Sequence, residues 1–386
     1  MKEPAFKVGG VITPPYFVDR EEELARLVHD AHTLSQSNVV IAPRRFGKTA
    51  LLRAVESRVA SEMLGVYVNC LGMLTAVDFH DRLVEAVLKA FEDKHGRARR
   101  LLATWRDVLR KPVVGMRERL KEIGGSIEGV GSIRLKFRTR EVDEPALLET
   151  ALDFPERLAE EQGERVLVIM DEFQTLAEFD GLLFALFKER MEAQRHVVYL
   201  FSGSSLRIMN EVFGREGKSP LYQMVGRLFL GEIPTPYVHR YYRERLQEVH
   251  GVGISEEALN RVTELVGGIP YYFQKLGLEL EREIVLKGLK RIEAGDVEIA
   301  FERLLEELSA DFQERWQTRF SEQQRAVLKV LAEGPRSLSG VAKALGVPAP
   351  NVSYSLNRLA AAMVLTKEDR IYRITDRVFA AWLHRL

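Results

Sequence analysis

Residues 37–53 read SNVVIAPRRFGKTALLR, in which a short apolar run leads into a loop and then into a helical pattern. A buried strand, a loop of the form G-x-x-x-x-G-K-[ST] and a following helix together make a phosphate-binding loop. Ala42 stands in the place of the first glycine, whereas Gly47, Lys48 and Thr49 match the pattern. The stretch therefore predicts an α/β fold, in which a parallel sheet flanked by helices carries the loop.

The residue types in this loop suit a triphosphate. Lys48 would reach the β- and γ-phosphates, Thr49 would bind Mg²⁺, and the amides of residues 45–49 would form an anion site at the helix N-terminus. A methyl group at Ala42 is tolerated if its φ is negative. An ordinary strand, turn and helix with an exposed Gly-Lys-Thr is the alternative interpretation. The predicted nucleotide-contacting residues are Pro43, Arg44, Arg45, Phe46, Gly47, Lys48, Thr49 and Ala50.

A second apolar strand ends in two acids. The segment RVLVIMDEF, residues 165–173, brings Asp171 to the carboxyl end of a strand, where open α/β sheets bind nucleotides. Asp171 would hold the metal, and Glu172 would orient or deprotonate the attacking water. A solvated acid that begins a loop is the other interpretation of Glu172.

Composition excludes several classes of protein. Cys70 is the only cysteine, which rules out an internal disulfide and a multi-thiolate metal site. No stretch approaches the ~20 apolar residues of a membrane crossing. The N-terminus MKEPAFKVGG has no apolar signal region. We therefore expect a cytoplasmic protein that does not enter a membrane.

The 386 residues predict two or three domains. Apolar runs at 39–41, 66–68, 166–170, 197–201 and 228–230 alternate with helical stretches. Beyond Pro236 strand signals give way to helices, with N-caps expected at Ser255 and Asp296. Three short helices and a hairpin end the chain, as in a winged helix. The predicted domains are 1–235, an α/β domain with a basic insertion at about 94–140; 236–318, a helical lid; and 319–386, a winged helix.

Charge is unevenly distributed, although the formal net charge is zero. Residues 94–140 hold fourteen Lys or Arg against four Asp or Glu, and residues 321–386 hold ten against five. In SIRLKFR, Arg134, Lys136 and Arg138 alternate with apolar residues, which at strand spacing makes one cationic face. Such a face predicts a DNA or RNA backbone as partner. A solvated face paired with acids from elsewhere in the chain is the alternative.

The third helix of the predicted winged helix has a polar face. Val352, Leu356 and Leu359 fall at helical spacing and should face the core, which leaves the polar residues outward. Their side chains suit base edges and phosphates in a major groove, with two wing cations on the backbone. Protein docking is the alternative use of a winged helix. The predicted DNA-contacting residues are Asn351, Ser353, Tyr354, Asn357, Arg358, Lys367 and Arg370.

Six segments in this order resemble the archaeal-type ATPase family, in the AAA+ and STAND branch of P-loop NTPases. They are FVDREEEL, RRFGKT, IMDEF, YLFSGSSLRIM, SPLYQMVGRLF and the ending YRITDRVFAAWL. The resemblance extends over nearly the whole chain. It implies an AAA+-like parallel sheet, a helical lid, a C-terminal winged helix, and ATP with Mg²⁺ as ligands.

The resemblance also implies where the base and lid would contact the nucleotide. The residues implied at the adenine are Phe17, Val18 and Arg20. Asp19 replaces the glycine that is usual in this segment. Gly268-Ile269-Pro270 matches the G-x-P of STAND lids, in which the proline packs on the nucleotide.

Three further residues match positions that act on the γ-phosphate in the family. Ser204 or Ser205 would contact the γ-phosphate or its water, or else one of them caps a helix. Arg227 matches an arginine finger offered to a neighbouring subunit, or else it is a surface arginine or part of an internal salt bridge. The lid position that supplies a sensing arginine in AAA+ proteins holds none here.

The sequence as a whole predicts an ATPase that hydrolyses ATP with Mg²⁺ and couples its nucleotide state to DNA binding through the basic insertion and the winged helix. The alternative is a STAND-type switch, in which ATP holds an active conformation and the partner is a protein. A nucleotide-binding protein with negligible turnover is a third possibility. Oligomeric state stays open.

Overall fold

A five-stranded parallel sheet forms the centre of the structure, a computed structural model that describes residues 3–10, 12, 14–96, 143–179, 181–214 and 219–386. The strand order is β2-β3-β4-β1-β5, and each neighbouring pair is parallel. The strands are β1 Ser37–Ile41, β2 Leu64–Asn69, β3 Val166–Asp171, β4 Val197–Gly203 and β5 Val225–Phe229. All five predicted strands are present. The predicted basic face, with Arg134, Lys136 and Arg138, lies outside the described residues.

Helices cover both faces of the sheet, and alternate strand residues supply the two cores. Val40 and Ile169 face α1 and α2, whereas Val39 and Val168 face the other side, where α3 to α6 pack. The helices are α1 Glu21–Thr33, α2 Lys48–Val59, α3 Ala76–His95, α4 Glu144–Gln162, α5 Gly181–Ala193 and α6 Leu206–Phe213. The predicted α/β class with a helix-flanked parallel sheet is therefore confirmed.

The chain reverses its direction of travel across the sheet between β1 and β4. β1 is followed by α2 and then by β2 at one edge, whereas β4 is followed by α6 and then by β5 at the other edge. A crevice opens at the carboxyl ends of strands where connections diverge in this way. The phosphate loop lies at the end of β1 and therefore borders this crevice.

A helical lid follows the sheet. Its helices are α7 Thr235–His250, α8 Glu256–Val266, α9 Pro270–Lys287 and α10 Ala294–Arg319. The Ser255 side chain caps α8 as predicted. The predicted N-cap at Asp296 is wrong, because Ala294 and Gly295 already form the first turn, with Glu293 as N-cap and Asp296 as its partner in a capping box. A parallel pair of two-residue strands, β6 Gly253–Ile254 and β7 Arg291–Ile292, was not predicted, because so short a strand shows no periodicity.

The C-terminal region is a winged helix, as predicted. Ser321 and Gln324 form the expected capping box, and Val352, Leu356 and Leu359 are buried. The third strand of its small antiparallel sheet, β8, was not predicted. The elements are α11 Glu322–Ala332, β8 Arg336–Ser337, α12 Leu338–Leu345, α13 Ala349–Ala361, β9 Leu365–Glu368, β10 Ile371–Ile374 and α14 Arg377–Leu383. In the described part of the chain, no helix combines the length and the apolar character that a membrane crossing requires.

The N-terminal segment is fixed to the lid. The amides of Ala5 and Phe6 donate to the Glu281 carboxylate at 2.7 and 3.3 Å. The Phe6 ring is fully buried and lies 4.7 Å from the Tyr242 ring, centroid to centroid. A Cβ on Gly277 of α9 would clash with the Phe6 ring, so only glycine fits at this position while Phe6 keeps its place.

We expect Gly277→Ala to lower the free energy of unfolding by about 1–3 kcal/mol, because the added methyl overpacks the Phe6 pocket. Urea denaturation measures the change. In a Phe6→Ala background the same substitution should cost less, because the clash is gone. The matched control is Gly295→Ala in the first turn of α10, where nothing lies within 4 Å of the new methyl. An equal loss in both backgrounds would contradict this account of Gly277.

Candidate nucleotide site

The phosphate loop joins the end of β1 to the start of α2. Gly47 is the residue before the helix and has φ 85°, the left-handed backbone that favours glycine. A Cβ there would lie 3.5 Å from the Pro270 ring, an ordinary contact, so backbone conformation rather than space requires the glycine. Ala42 is not among the residues with positive φ, so its methyl group is tolerated at the strand exit.

Lys48 lies inside the loop. It is 5% exposed, and its Nζ donates to the carbonyl oxygens of Ala42 and Pro43 at 2.9 and 3.1 Å. Burial lowers the pKa of Lys48, while the charges of Glu172 and Asp171 act in the opposite direction. Lys48 is the neighbour of Thr49, whose hydroxyl donates to Asp171, so the lysine and the acids lie at the same edge of the sheet.

Asp171 ends β3 and is the most heavily hydrogen-bonded group of the site. Its Oδ2 accepts from the hydroxyls of Thr49 and Tyr67, each at 2.7 Å. Its Oδ1 accepts from the Ser202 hydroxyl and from the amide of Glu172. Burial and the bond to Asp171 raise the pKa of Tyr67, so that it remains a phenol and a donor. Tyr67 was not predicted, because its place beside Asp171 follows from the pairing of β2 with β3.

Thr49 and Asp171 fit a magnesium ion by their chemistry. The hydroxyl and the carboxylate are hard oxygen ligands, and the hydrogen bond between them brings both to one point at the loop. Thr49 is exposed to solvent, so an ion has access to it.

Glu172 follows Asp171, and its carboxylate is held by Ser204, which comes directly after β4, and by Gln174. Its Oε2 accepts from the Ser204 hydroxyl at 3.1 Å and from the side-chain amide of Gln174. The neighbouring Ser205 is the N-cap of α6. The structure therefore brings Ser204 to the acid and uses Ser205 to begin a helix, and Gln174 is a site residue that sequence reasoning missed.

Arg45 connects the loop to the lid and to the winged helix. Its guanidinium lies 5.1 Å from the ring centroids of Tyr271 and Tyr272 and donates to the Tyr272 hydroxyl. Its Nη1 lies 3.5 Å from Asp376, the N-cap of α14, and Tyr272 donates to the same carboxylate at 2.6 Å. This convergence depends on the folding back of the lid and the last helix, which no local pattern reveals.

The other residues predicted at the nucleotide differ in their surroundings. Phe17 and Val18 are partly buried against the core that includes the lid. Arg20 is 7% exposed and donates to Glu23 and to the carbonyl of Gly231. Pro270 begins α9 beside Gly47. The remaining loop positions are Arg44, which is exposed, Phe46, which is buried, and Ala50, which is half-buried.

Arg227 lies on β5 and binds within its own chain. Its guanidinium donates to the carbonyl of Phe213 and lies 3.5 Å from the side-chain oxygen of Asn210. A role for Arg227 towards a second subunit remains a prediction.

The predicted DNA-contacting side chains of the winged helix are largely free to solvent. All of them are exposed except Ser353, which is half-buried. Arg358 donates to the Tyr354 hydroxyl at 3.0 Å, and Lys367 lies 5.2 Å from the Tyr372 ring centroid. The exposed residues are Asn351, Tyr354, Asn357, Arg358, Lys367 and Arg370.

Two solved structures share the fold of this chain, one named as an ATPase and one solved with nucleotides. A Walker-type ATPase of Pyrococcus abyssi aligns with a TM-score of 0.71 and 20% identity, over 99% of this chain and 100% of that chain. The ORC2 protein of Aeropyrum pernix, solved as ADPNP–ADP complexes, aligns with a TM-score of 0.60 and 14% identity, over 99% and 97%. At these identities the likeness is one of fold. No curated protein matches the sequence.

Two family descriptions match the sequence itself. Residues 321–362 match the family described as bacterial regulatory proteins of the arsR family, which agrees with the helix-turn-helix part of the winged helix. Residues 17–276, about two thirds of the chain, match the family described as an ATPase domain predominantly from Archaea. The predicted resemblance is confirmed, and the chain belongs to this archaeal-type family of P-loop ATPases.

Proposed function

We propose that the protein hydrolyses ATP at this site with Mg²⁺ and that its nucleotide state controls how the winged helix binds DNA. The observation that carries the proposal is the hydrogen bond between Thr49 and Asp171, which joins the loop that holds Lys48 to the strand end that holds Glu172. The site residues assigned from the sequence, the three domain limits and a cytoplasmic site of action are parts of this proposal. The family and the fold, which are established, support it.

Binding would begin with the loop. The first amides of α2 have no acceptors within the helix and are available to phosphate oxygens. Phosphate oxygens would also replace the carbonyls of Ala42 and Pro43 as acceptors for Lys48, and such charge-assisted hydrogen bonds are stronger than neutral ones. Thr49 and Asp171 would hold Mg²⁺, which when bound supplies positive charge to the phosphates.

Hydrolysis would be an in-line attack by water that Glu172 orients. The water oxygen forms a bond to the γ-phosphorus while the bond from that phosphorus to the oxygen bridging the β-phosphate breaks. The bridging oxygen keeps the electron pair and leaves as part of ADP, and a proton of the water passes to Glu172. Lys48 stabilises the charge that develops on the phosphate oxygens.

Coupling to the winged helix would run through Arg45. Arg45 belongs to the loop, and its guanidinium donates to the Tyr272 hydroxyl of the lid and forms an ion pair with Asp376 of α14. Its backbone has φ 77°, so the loop holds an uncommon conformation at this position. A nucleotide that changes the loop would therefore change the contact with α14 directly.

DNA is the partner that we propose for the winged helix. The exposed Asn, Tyr and Arg side chains of α13 and the two exposed wing cations support it. A protein partner for an ATP-dependent switch is the second candidate. The packing of Pro270 against Gly47, which places the G-x-P segment at the loop, favours that reading.

We expect Glu172→Gln to lower the rate of ATP hydrolysis by on the order of 10²–10⁴, because the water loses its base, while ATP still binds. Lys48→Ala should instead abolish ATP binding. Phosphate release and nucleotide titration measure the two effects. The control is Glu211→Gln, an exposed acid on α6 that pairs with Arg207. Unchanged hydrolysis in the Glu172 variant would remove its assigned role.

Asp376→Asn should weaken the coupling between nucleotide and DNA. Asparagine keeps the N-cap of α14 but removes the charge that faces Arg45 and Arg315. We expect the ratio of the DNA dissociation constants in ATP and ADP to move towards one. Asp296→Asn at the start of α10 is the matched control, because it also changes a helix-capping Asp. If both variants keep the wild-type ratio, the path through Arg45 is wrong.

Arg358→Ala should weaken DNA binding in a salt-dependent way. Each phosphate contact contributes about 0.9 to the slope of log affinity against log salt, so we expect the slope to fall by about that amount. The control is Arg385→Ala, which removes another arginine of the C-terminal region, one that pairs with Glu302. The salt dependence of DNA binding by this control should match that of the wild type. A flat salt dependence for the wild-type protein would argue against DNA and in favour of a protein partner.

A further inference from the structure

We infer that Gln174 is a positioning residue for the hydrolytic reaction, which fixes one carboxylate oxygen of Glu172 and leaves the other to orient the attacking water. The inference rests on the proposed ATP hydrolysis. Nothing in the phosphate-loop or acid-strand patterns assigns a task to this residue.

The Gln174 side-chain amide connects Glu172 to the end of β4. Its Nε2 donates to Glu172 Oε2 and to the Ser204 hydroxyl, the latter at 3.2 Å. Its Oε1 accepts from the Ser204 amide at 3.1 Å. The Ser204 hydroxyl in turn donates to Glu172 Oε2 at 3.1 Å. The three side chains therefore form a closed set of hydrogen bonds around a single carboxylate oxygen.

Packing holds Gln174 in this position. It belongs to a 3-10 turn, Phe173–Glu178, that directly follows Glu172. Phe173 is fully buried, with its ring 4.5 Å from Phe201 and 5.6 Å from Phe187, centroid to centroid. Because Phe173 is locked in an aromatic core, the residues on either side of it have little freedom. The same turn therefore positions Gln174 against Ser204 at the end of β4 and next to Glu172.

Glu172 needs such support. Its φ is 55°, a left-handed conformation that is uncommon for a residue other than glycine. Its side chain is half-buried, and it is adjacent to the second acid of the site, Asp171. Among the described residues, both side chains that donate to the Glu172 carboxylate do so at Oε2 and none at Oε1. With Oε2 fixed by two donors, Oε1 is the oxygen that remains for water.

Fixing the carboxylate bears on the rate rather than on binding. In the proposed step the water oxygen bonds to the γ-phosphorus, and its proton goes to Glu172 as the bond to the bridging oxygen breaks. A carboxylate that turns away from the water by about 1 Å can cost on the order of 100-fold in rate. Gln174 itself touches neither phosphate nor water in this account, so it acts only through Glu172.

A structural task for Gln174 makes a different prediction. If Gln174 only tied the 3-10 turn to β4, the acceptor for the Ser204 amide would be what matters. Glutamate at 174 keeps that acceptor but removes the donors and places a negative charge against Glu172. Gln174→Glu therefore separates the two interpretations, because only the positioning role predicts that it is as harmful as Gln174→Leu.

The test compares steady-state hydrolysis and ATP affinity in the full chain. Gln174→Leu and Gln174→Glu should each lower kcat by on the order of 100-fold with ATP affinity within about twofold of wild type. In the Glu172→Gln background, single-turnover hydrolysis should not fall further when Gln174→Leu is added, because the two residues act through one group. The matched control is Gln194→Leu, at the other end of β4, where the amide donates to Leu152 and accepts from Tyr199. That control should keep kcat.

The outcomes distinguish this inference from the proposed function. Wild-type kcat in Gln174→Leu or Gln174→Glu, together with a large loss in Glu172→Gln, would overturn the positioning role alone. A further loss from Gln174→Leu in the Glu172→Gln background would also overturn it. Absence of hydrolysis in the wild-type protein, or hydrolysis that Glu172→Gln leaves unchanged, would overturn the proposed function and this inference together.

Discussion

The hydrogen bond of 2.7 Å between Thr49 and Asp171 is the contact on which the site depends. It joins the helix after β1 to the end of β3, although β4 lies between these two strands in the sheet. Ser202 of β4 donates to the same carboxylate, and Tyr67 of β2 donates to it from the other side. One buried acid, at the end of β3, therefore forms hydrogen bonds with β2, with β4 and with the phosphate loop. Burial of a carboxylate is unfavourable unless donors satisfy its oxygens. The position of Asp171 therefore depends on Thr49, Tyr67 and Ser202.

Arg45 extends this arrangement beyond the sheet. Tyr271 donates its amide to the Arg45 carbonyl at 3.3 Å, and aromatic rings of α9 and α10 surround the guanidinium. Asp376 at the start of α14 forms ion pairs with both Arg45 and Arg315. The phosphate loop, the lid and the winged helix thus share one partly buried polar cluster. In such a cluster the loss of one member leaves the others unsatisfied, which is the physical basis of the proposed coupling between the loop and the winged helix.

Local patterns in the sequence predicted much of the fold and the loop, and the long-range contacts could not be predicted from them. The strand before Ala42, the Gly-Lys-Thr of the loop and the apolar run that ends at Asp171 each follow from residue type and spacing over a few positions. The left-handed φ of Gly47 was seen only in the structure. Tyr67 joins the site because β2 is a neighbour of β3, and strand order cannot be predicted from local periodicity. Gln174 follows Glu172 by two residues, but its bonds to Ser204 form because β4 is the other neighbour of β3. Asp296 was misplaced because Glu293 forms a reciprocal cap three residues earlier. The links made by Arg45 require the whole lid to fold back.

The most direct test of this account is steady-state hydrolysis of ATP by the full chain in Mg²⁺, with and without duplex DNA. If the acid pair and the phosphate loop form one catalytic centre that is linked to the winged helix, the protein releases phosphate and DNA changes the rate. Binding of ATP without release of phosphate in either condition would contradict the account.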